Sequence, residues 1–295
     1  MSDIPKILFQ KKENVELEFE AFTLESLFSR ETEFKYGIEK NHRVDFHHII
    51  YITKGKGKHC IDFIPYTYNP GSMFFISKGQ VHAFEINPNN KGYIIIFTEE
   101  FLSKNLLHSD TMALYRLYNY HLYSPILEPE KIEKNRVSKL ILEIYEEYQY
   151  NNDFAKEEIL RLLLKLLLLK VERIKQTIEP KIKNAEWISI FNQFKTLVEN
   201  NYTQTRNAND FAGMLYISYK HLNEVCKAIT GNSAKKYIDT FVVLEIKRRL
   251  ATSDLSINEL SYKLGFDEAT NLSKFFKKHT HKLPSQFKKI LKKES

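Results

Sequence analysis

The feature that most restricts the fold of this chain is an internal repeat of about 49 residues toward its C-terminus. In the first copy Phe211, Ala212, Leu215 and Ile217 are followed by Leu222 and Val225. The small Ala212 lets two helices approach closely. Phe211, Leu215 and Ile217 wedge the turn, and Leu222 and Val225 seat a second helix on that core, the packing pattern of a helix-turn-helix. Ser218 stands where an N-cap belongs, and Gly231 where a helix ends on a left-handed glycine. The second copy reads Leu260, Ser261, Leu264, Gly265 and Phe266, then Leu272, Phe275 and Phe276. Its turn is one residue longer. Gly265 suits the bend, and Asp267 is expected to cap the helix that follows.

A single helix over 234–252 joins the copies, with Tyr237, Ile238, Phe241, Leu244 and Leu250 expected inward. At 1.5 Å per residue it spans roughly 25–30 Å, close to the ~34 Å repeat of a DNA duplex. Charge points the same way. Residues 182–295 hold 19 lysines and arginines against 11 acids, whereas 1–181 are balanced to within one charge. A basic helical part beside a neutral one implies a polyanionic partner, and two basic helix-turn-helix units make that partner double-stranded DNA.

The first hundred residues follow a different period. Val15, Leu17 and Phe19 alternate with Glu16, Glu18 and Glu20, and apolar runs over 46–52, 60–64, 73–76, 81–86 and 93–98 are separated by turn signals. Strands are predicted there, forming a small antiparallel barrel or sandwich. Amphipathic and Leu-rich helices are predicted near 130–150 and 153–175. The second is apolar on most faces and must be covered by other protein, so a helical hairpin that packs on the barrel and dimerises is expected. Its longest apolar run, Leu162 to Leu169, is interrupted by Lys165 and too short to span a membrane. No membrane association is expected. The polar stretch 176–184, with Pro180, reads as a linker. Two cysteines far apart, Cys60 and Cys226, and an opening without an apolar signal segment suit a cytoplasmic protein.

At the second repeat, Leu264-Gly265-Phe266-Asp267-Glu268-Ala269-Thr270-Asn271-Leu272-Ser273-Lys274-Phe275-Phe276-Lys277-Lys278, continuing through Leu283-Pro284-Ser285-Gln286-Phe287-Lys288, the chain resembles the AraC/XylS family of bacterial transcription regulators. Ser218–Lys227, with Thr230, Gly231 and Ser233, resembles that family's first unit. Asp45–His48, Ile61–Phe63, Asn69–Phe75, Gly79–His82 and Phe97–Phe101 resemble its cupin-type sensor barrel. His281 and Tyr216 stand where the family usually has glycine, and Lys288 where it commonly has arginine.

The expected architecture is therefore α+β. A cupin-like antiparallel barrel with a helical hairpin, residues 1–175, serves ligand sensing and dimerisation. A linker, 176–184, leads to an all-α DNA-binding domain with two helix-turn-helix units, 185–295. With Leu222, Val225 and Ile229 inward, the first recognition helix presents Tyr219, Lys220, Asn223, Glu224 and Lys227. The second presents Thr270, Asn271, Lys274 and Lys278. The resemblance places base reading at Lys220, Asn223, Glu224, Thr270, Asn271 and Lys274, residue types that can pair with base edges. Lys227, Lys277 and Lys278 suit phosphates.

In the barrel, candidates for a small-molecule pocket are His48, Tyr51, Cys60, Tyr66, Phe75, His82, Phe84 and Tyr93. His47 and His48 are adjacent and so point to opposite faces of a strand. With no carboxylate placed between them and His82, no metal and no cofactor is expected. The function implied is a sequence-specific, effector-controlled transcriptional regulator, most often an activator in this family and not an enzyme. A homodimer is expected, with RNA polymerase as a further candidate partner. Two alternatives stay open: a cupin metalloenzyme with an appended helical domain, and a DNA-binding dimer that needs no ligand.

Overall fold

The computed structural model describes residues 6–7, 9, 17–29, 38–103, 118, 124–134, 136–151, 154–178, 184–253 and 255–294. The chain divides into two compact units, within 5–180 and 181–295. Val15 and Glu16 of the first expected strand lie outside the described residues.

Among its described residues the N-terminal unit holds ten strands: β1 (Lys6–Ile7), β2 (Phe19–Thr23), β3 (His42–Val44), β4 (His47–Lys54), β5 (Gly57–Ile61), β6 (Ile64–Tyr68), β7 (Met73–Ile76), β8 (Val81–Phe84), β9 (Lys91–Phe97) and β10 (Ile126–Leu127). They form two five-stranded sheets, ordered β1-β3-β8-β5-β6 and β10-β7-β4-β9-β2. All pairings are antiparallel except β1 with β3. Among the described residues no ladder joins one sheet to the other, so the expected barrel is a pair of facing sheets, open at its seams. Ile50, Ile52, Phe74, Ile76, Ile94 and Ile96 of one sheet meet Val44, Ile61, Tyr68 and Phe84 of the other in a shared core.

The run expected as one strand over 60–64 is instead the corner of a hairpin. Asp62 and Phe63 adopt φ of 49° and 68°. Two consecutive left-handed residues give a turn whose twist matches the flanking strands. The Asp62 carboxylate braces it by accepting from Gln80 Nε2 at 2.9 Å and from the Val81 N–H at 3.1 Å.

The outer face of the β4 sheet carries helices, whereas Leu24 and Leu27 of the first short helix join the core between the sheets. The short α1 (Leu24–Ser29) and α2 (Glu99–Ser103) lead into and out of the strands, followed by α3 (Pro129–Lys134), α4 (Val137–Gln149) and α5 (Lys156–Ile178). One helix was expected over 130–150; left-handed Arg136, φ 55°, separates α3 from α4. α5 continues to Ile178, so 176–178 are helical rather than linker. Val137, Leu140, Ile141 and Ile144 of α4 pack with Leu160, Leu164, Leu167 and Val171 of α5 over Ile49, Phe97 and Ile95 of the sheet. Buried Arg161 fastens α5 by donating from Nε to the Phe101 carbonyl at 2.9 Å while its guanidinium pairs with Glu157 and Glu158. Among the described residues no helix is long and apolar enough to cross a membrane.

The C-terminal unit is all helical: α6 (Ala185–Asn201), α7 (Ala208–Met214), α8 (Tyr219–Thr230), α9 (Ala234–Thr252), α10 (Ile257–Lys263), α11 (Ala269–Thr280) and α12 (Pro284–Glu294). α9 is buried nearly all round, through Tyr237, Ile238, Phe241, Val242, Ile246 and Leu250. Leu244, expected inward, is only half-buried. Glu245 and Arg248 are both buried and pair at 2.7 Å, so each charge keeps a partner away from water.

Candidate functional site

The turns of the two helical pairs repeat each other bond for bond. In the first, Ile217 N–H bonds the Ala212 carbonyl at 3.0 Å and Tyr216 N–H that of Gly213 at 3.0 Å. In the second, Phe266 N–H bonds the Ser261 carbonyl at 2.9 Å and Gly265 N–H that of Tyr262 at 3.0 Å. Tyr216 therefore occupies the position of Gly265, with φ of 56° against 71°. The tyrosine is tolerated because its side chain stands in solvent, 96% exposed. Gly265 is different. A Cβ there would sit 1.8 Å from the Thr203 carbonyl oxygen, so only glycine fits.

Beyond the turn the second copy runs one residue late. Ser218 caps α8, its side chain accepting the His221 N–H at 3.1 Å. The counterpart cap of α11 is Glu268, whose side chain accepts no backbone N–H of the helix, so Asp267 does not perform the capping expected of it. Both helices close alike, on left-handed Gly231 (φ 70°) and His281 (φ 59°). Thr230 and Thr280 each donate to the carbonyl four residues back, Cys226 and Phe276, at 2.8 Å. The units are tied together by Arg206, which donates to the Leu264 and Gly265 carbonyls at 2.6 and 2.9 Å and lies 3.6 Å from the Phe266 ring centroid.

On α8, Leu222, Val225 and Ile229 are buried, and Tyr219, Lys220, Glu224 and Lys227 are exposed. Asn223 is half-buried, and its Oδ1 accepts the Ala234 N–H at 3.1 Å. That bond commits the carbonyl that adenine recognition would need. On α11, Leu272 and Phe276 are buried, Phe275 is half-buried, and Thr270, Asn271, Lys274, Lys277 and Lys278 are exposed. Thr270 Oγ1 donates to Glu268 Oε2 at 2.7 Å. Each recognition helix thus buries one stripe and leaves a largely basic stripe open.

In the facing sheets the expected pocket residues separate. His48, Tyr66, His82 and Phe84 lie on or against the core between the sheets. Tyr51, Phe75 and Tyr93 do not. They belong to the opposite face, under the helices, where the tilted rings of Tyr93 and Tyr145 have centroids 5.0 Å apart and the Lys175 ammonium lies 4.6 Å from the Phe75 ring centroid. Cys60 also alternates away from the core, between inward His59 and Ile61. Strands buried on both faces carry no alternation from which the inward phase could be read.

Two histidines missed in the sequence complete the inner cluster. His42, His48, His59 and His82 are all buried, and the rings of His42, His48 and His59 stand 4.3, 5.0 and 5.3 Å from that of His82. The signal that could have found them was the count of histidines on consecutive short strands. Burial pushes all four down from the ordinary imidazole range, His59 to about 3, and the neighbouring imidazoles push further in the same direction at His48, His59 and His82. All four are therefore neutral at pH 7. His47, on the other face, packs 4.4 Å from Tyr118 and lies 3.6 Å from Glu99. As the rings stand, no group of three His, Cys, Asp or Glu among the described residues is arranged to hold a metal.

Two family descriptions match, "AraC-like ligand binding domain" over 29–167 and "Helix-turn-helix domain" over 211–290. The chain belongs to the AraC/XylS family. It is a DNA-binding transcriptional regulator with an N-terminal ligand-binding domain. Among curated relatives of this family, the HTH-type transcriptional activator RhaS of Escherichia coli O6:H1 is 23% identical over 246 residues, 80% of this chain and 83% of RhaS. Among solved structures, ToxT from Vibrio cholerae with unsaturated fatty acid bound covers 92% of this chain and 91% of its own at 18% identity and a TM-score of 0.44. An AraC-type regulator from Chromobacterium violaceum covers 37% of this chain and 96% of its own at 19% identity and a TM-score of 0.33.

Proposed function

We propose that this chain is a cytoplasmic, homodimeric transcriptional activator, without enzymatic activity, that lays α8 and α11 in successive major grooves under the control of a ligand in its N-terminal domain. The observation that carries the reading is the matching turn of the two helical pairs, each followed by a helix that leaves a basic stripe unburied. Lys220, Glu224, Thr270, Asn271 and Lys274 read bases. Tyr219, Lys227, Lys277 and Lys278 position the backbone. Asn223 is left out of base reading because it holds Ala234. The sensing domain runs through the end of α5 at Ile178 and the DNA-binding domain is 185–295, joined through 179–184. Activation follows the role of RhaS, a transcriptional activator, and brings RNA polymerase in as a partner.

Ile159, Leu162, Leu166 and Leu169 form one stripe along α5 with exposures of 38, 57, 43 and 44%. An apolar stripe of this kind is stable in water when a second copy covers it through the same residues. A ligand then acts by favouring one arrangement of the dimer over another, to the extent that it binds the two differently.

The test is selection of sites from random duplex DNA by the full chain. Recovery of a motif with two elements about one helical turn apart is expected. Absence of any enriched sequence, or a single short element, overturns the reading.

A further inference from the structure

We propose that Arg206 determines which spacing of DNA elements this chain accepts, as a positioning residue that fixes the second recognition helix relative to the first. This rests on the reading that α8 and α11 enter successive grooves. The root of the side chain is held at the first pair. Arg206 precedes Asn207, the N-cap of α7, whose Oδ1 accepts the Asn209 N–H at 3.1 Å and whose Nδ2 donates to Asp210 Oδ1 at 3.2 Å. The head of the side chain is held at the second pair. One guanidinium nitrogen donates to the Leu264 and Gly265 carbonyls at 2.6 and 2.9 Å, and the group lies 3.6 Å from the Phe266 ring centroid. The Phe266 ring in turn meets Phe275 of α11, centroids 5.6 Å apart. One side chain thus connects the start of the first pair to the recognition helix of the second.

The same joint has a stop on its other side. A Cβ at Gly265 would sit 1.8 Å from the Thr203 carbonyl oxygen, so the two backbones already touch. Thr203 resists closer approach of the second turn, and Arg206 resists its departure. Tyr202, beside them, is seated on α9 by Phe241, ring centroids 5.3 Å apart, and by Arg249, which donates to its hydroxyl at 3.3 Å. α9 does not supply this restraint by itself, since it ends at Thr252 and α10 begins only at Ile257. α11 also contacts α9 directly through His279 and Asp239, 3.9 Å apart, but at its C-terminal end. The joint at Arg206 therefore governs the leading end of α11, where Thr270, Asn271 and Lys274 stand.

Magnitudes make this restraint matter to DNA. One base pair added between two elements moves the second by about 3.4 Å along the duplex and about a tenth of a turn around it. To follow, the leading end of α11 must move by a comparable distance. Bonds of 2.6 and 2.9 Å do not survive that, because a hydrogen bond is lost beyond roughly 3.5 Å. Removing a base pair asks for a displacement of the same size, and any part of it directed at Thr203 meets the carbonyl oxygen. Arginine suits the post because its flat guanidinium covers an aromatic ring while donating from its edge.

The experiment measures binding of the full chain to three duplexes: the two-element site recovered by selection, and the same site with one base pair added or removed between its elements. Wild type should prefer the selected spacing by about tenfold, the order of the charge-assisted bonds that a shift would break. Arg206→Ala should reduce that preference to about threefold or less on both sides, and Arg206→Lys, which keeps a donor but not the flat group, should restore part of it. Gly265→Ala, which must push the turn off Thr203, should change the preferred spacing. Gly231→Ala carries a similar left-handed strain, but its Cβ meets nothing within 4 Å, so the wild-type profile should remain. A merely structural Arg206 would weaken all three duplexes equally on substitution, and that result overturns the proposal. So does a wild type indifferent to spacing, which decides the matter if the variants do not fold. Recovery of no two-element site overturns the regulator reading instead, whereas a strict spacing that Arg206→Ala retains overturns this proposal alone.

Discussion

Asn223 Oδ1 accepts the backbone N–H of Ala234 at 3.1 Å, joining the first recognition helix to the start of the helix between the repeats. The corresponding residues of the second repeat are Ser273 and Pro284. Helix-opening N–H groups have no partner within their own helix. Ala234 meets that need with a side chain from α8. Pro284 has no N–H, so the second repeat needs no asparagine. The two copies solve one problem in two ways, and the asparagine that looked like a base reader is explained by the solution.

Asn223→Ala should therefore lower the stability of the C-terminal unit by about 1–2 kcal/mol. Adding Ala234→Pro should recover most of the loss. Proline is suited to a first helical position, and Ser233 already has the extended conformation that precedes it, φ −65° and ψ 157°. The chain has one tryptophan, Trp187 on α6, so urea unfolding followed by its fluorescence reports this unit. Additive losses in the double variant would show that the hydrogen bond does not matter.

Exposed lysines on α11 should divide by role. Lys274→Ala should weaken a specific DNA site by about 1–3 kcal/mol and relax preference at one base. Lys278→Ala should weaken all sequences alike and lower the slope of log affinity against log salt by about 0.9. Gel-shift titrations at several salt concentrations separate the two. Indistinguishable behaviour would remove the division of labour.

The repeat was legible because helix-turn-helix packing needs small and apolar residues at fixed spacings, and Phe211, Ala212, Leu222, Leu260, Ser261 and Leu272 keep them. The α9 limits were legible from Ser233 and the apolar run that follows. What the sequence hid had physical causes. β4 is buried on both faces over His47–Ile52, so its inward side could not be told from its outward side. Tyr51, Phe75 and Tyr93 were assigned to a pocket when they hold helices. Asp62 and Phe63 turn a hairpin without glycine, which disguised the turn as strand. His42 and His59 meet His82 only through strand pairing, His42 directly opposite His82 on β8.

His281→Gly should stabilise the C-terminal unit. His281 holds φ 59° at the end of α11, where an L-residue is strained by about 1–2 kcal/mol and glycine is not. Greater freedom of glycine in the unfolded chain offsets about half, so a gain of about 0.5–1 kcal/mol is expected. Gly231→Ala is the reciprocal change. A Cβ at Gly231 meets nothing within 4 Å, so any loss there comes from backbone conformation alone. A stabilised Gly231→Ala chain would contradict both halves of the argument.

The apolar stripe of α5 should carry dimerisation. Leu162→Glu with Leu166→Glu places two carboxylates on positions that are exposed in the single chain, 57 and 43%, so the fold should persist. Sedimentation velocity should show at least a tenfold weaker dimer. A monomeric wild type, or a double variant that associates equally well, would move the interface elsewhere.

Acid should loosen the N-terminal unit before the C-terminal one. Burial lowers His42, His48, His59 and His82 below the ordinary 6.5 in the folded chain, His59 to about 3. The unfolded chain therefore binds protons first as pH falls. Their neutral burial is compatible with full stability above pH 6.5, and stability is lost progressively below it, until each folded imidazole itself titrates. Each histidine contributes a slope of about 1.4 kcal/mol per pH unit within that window. Hydrogen exchange of peptides from β4, β5 and β8 should show opening that steepens from pH 7 to pH 5, after correction for intrinsic rates. His82→Phe should flatten the dependence by removing one titrating ring while keeping an aromatic in its place. Exchange that ignores pH across this range would mean that the unfolded chain gains no protons over the folded one, and that these imidazoles are already charged inside the sheets.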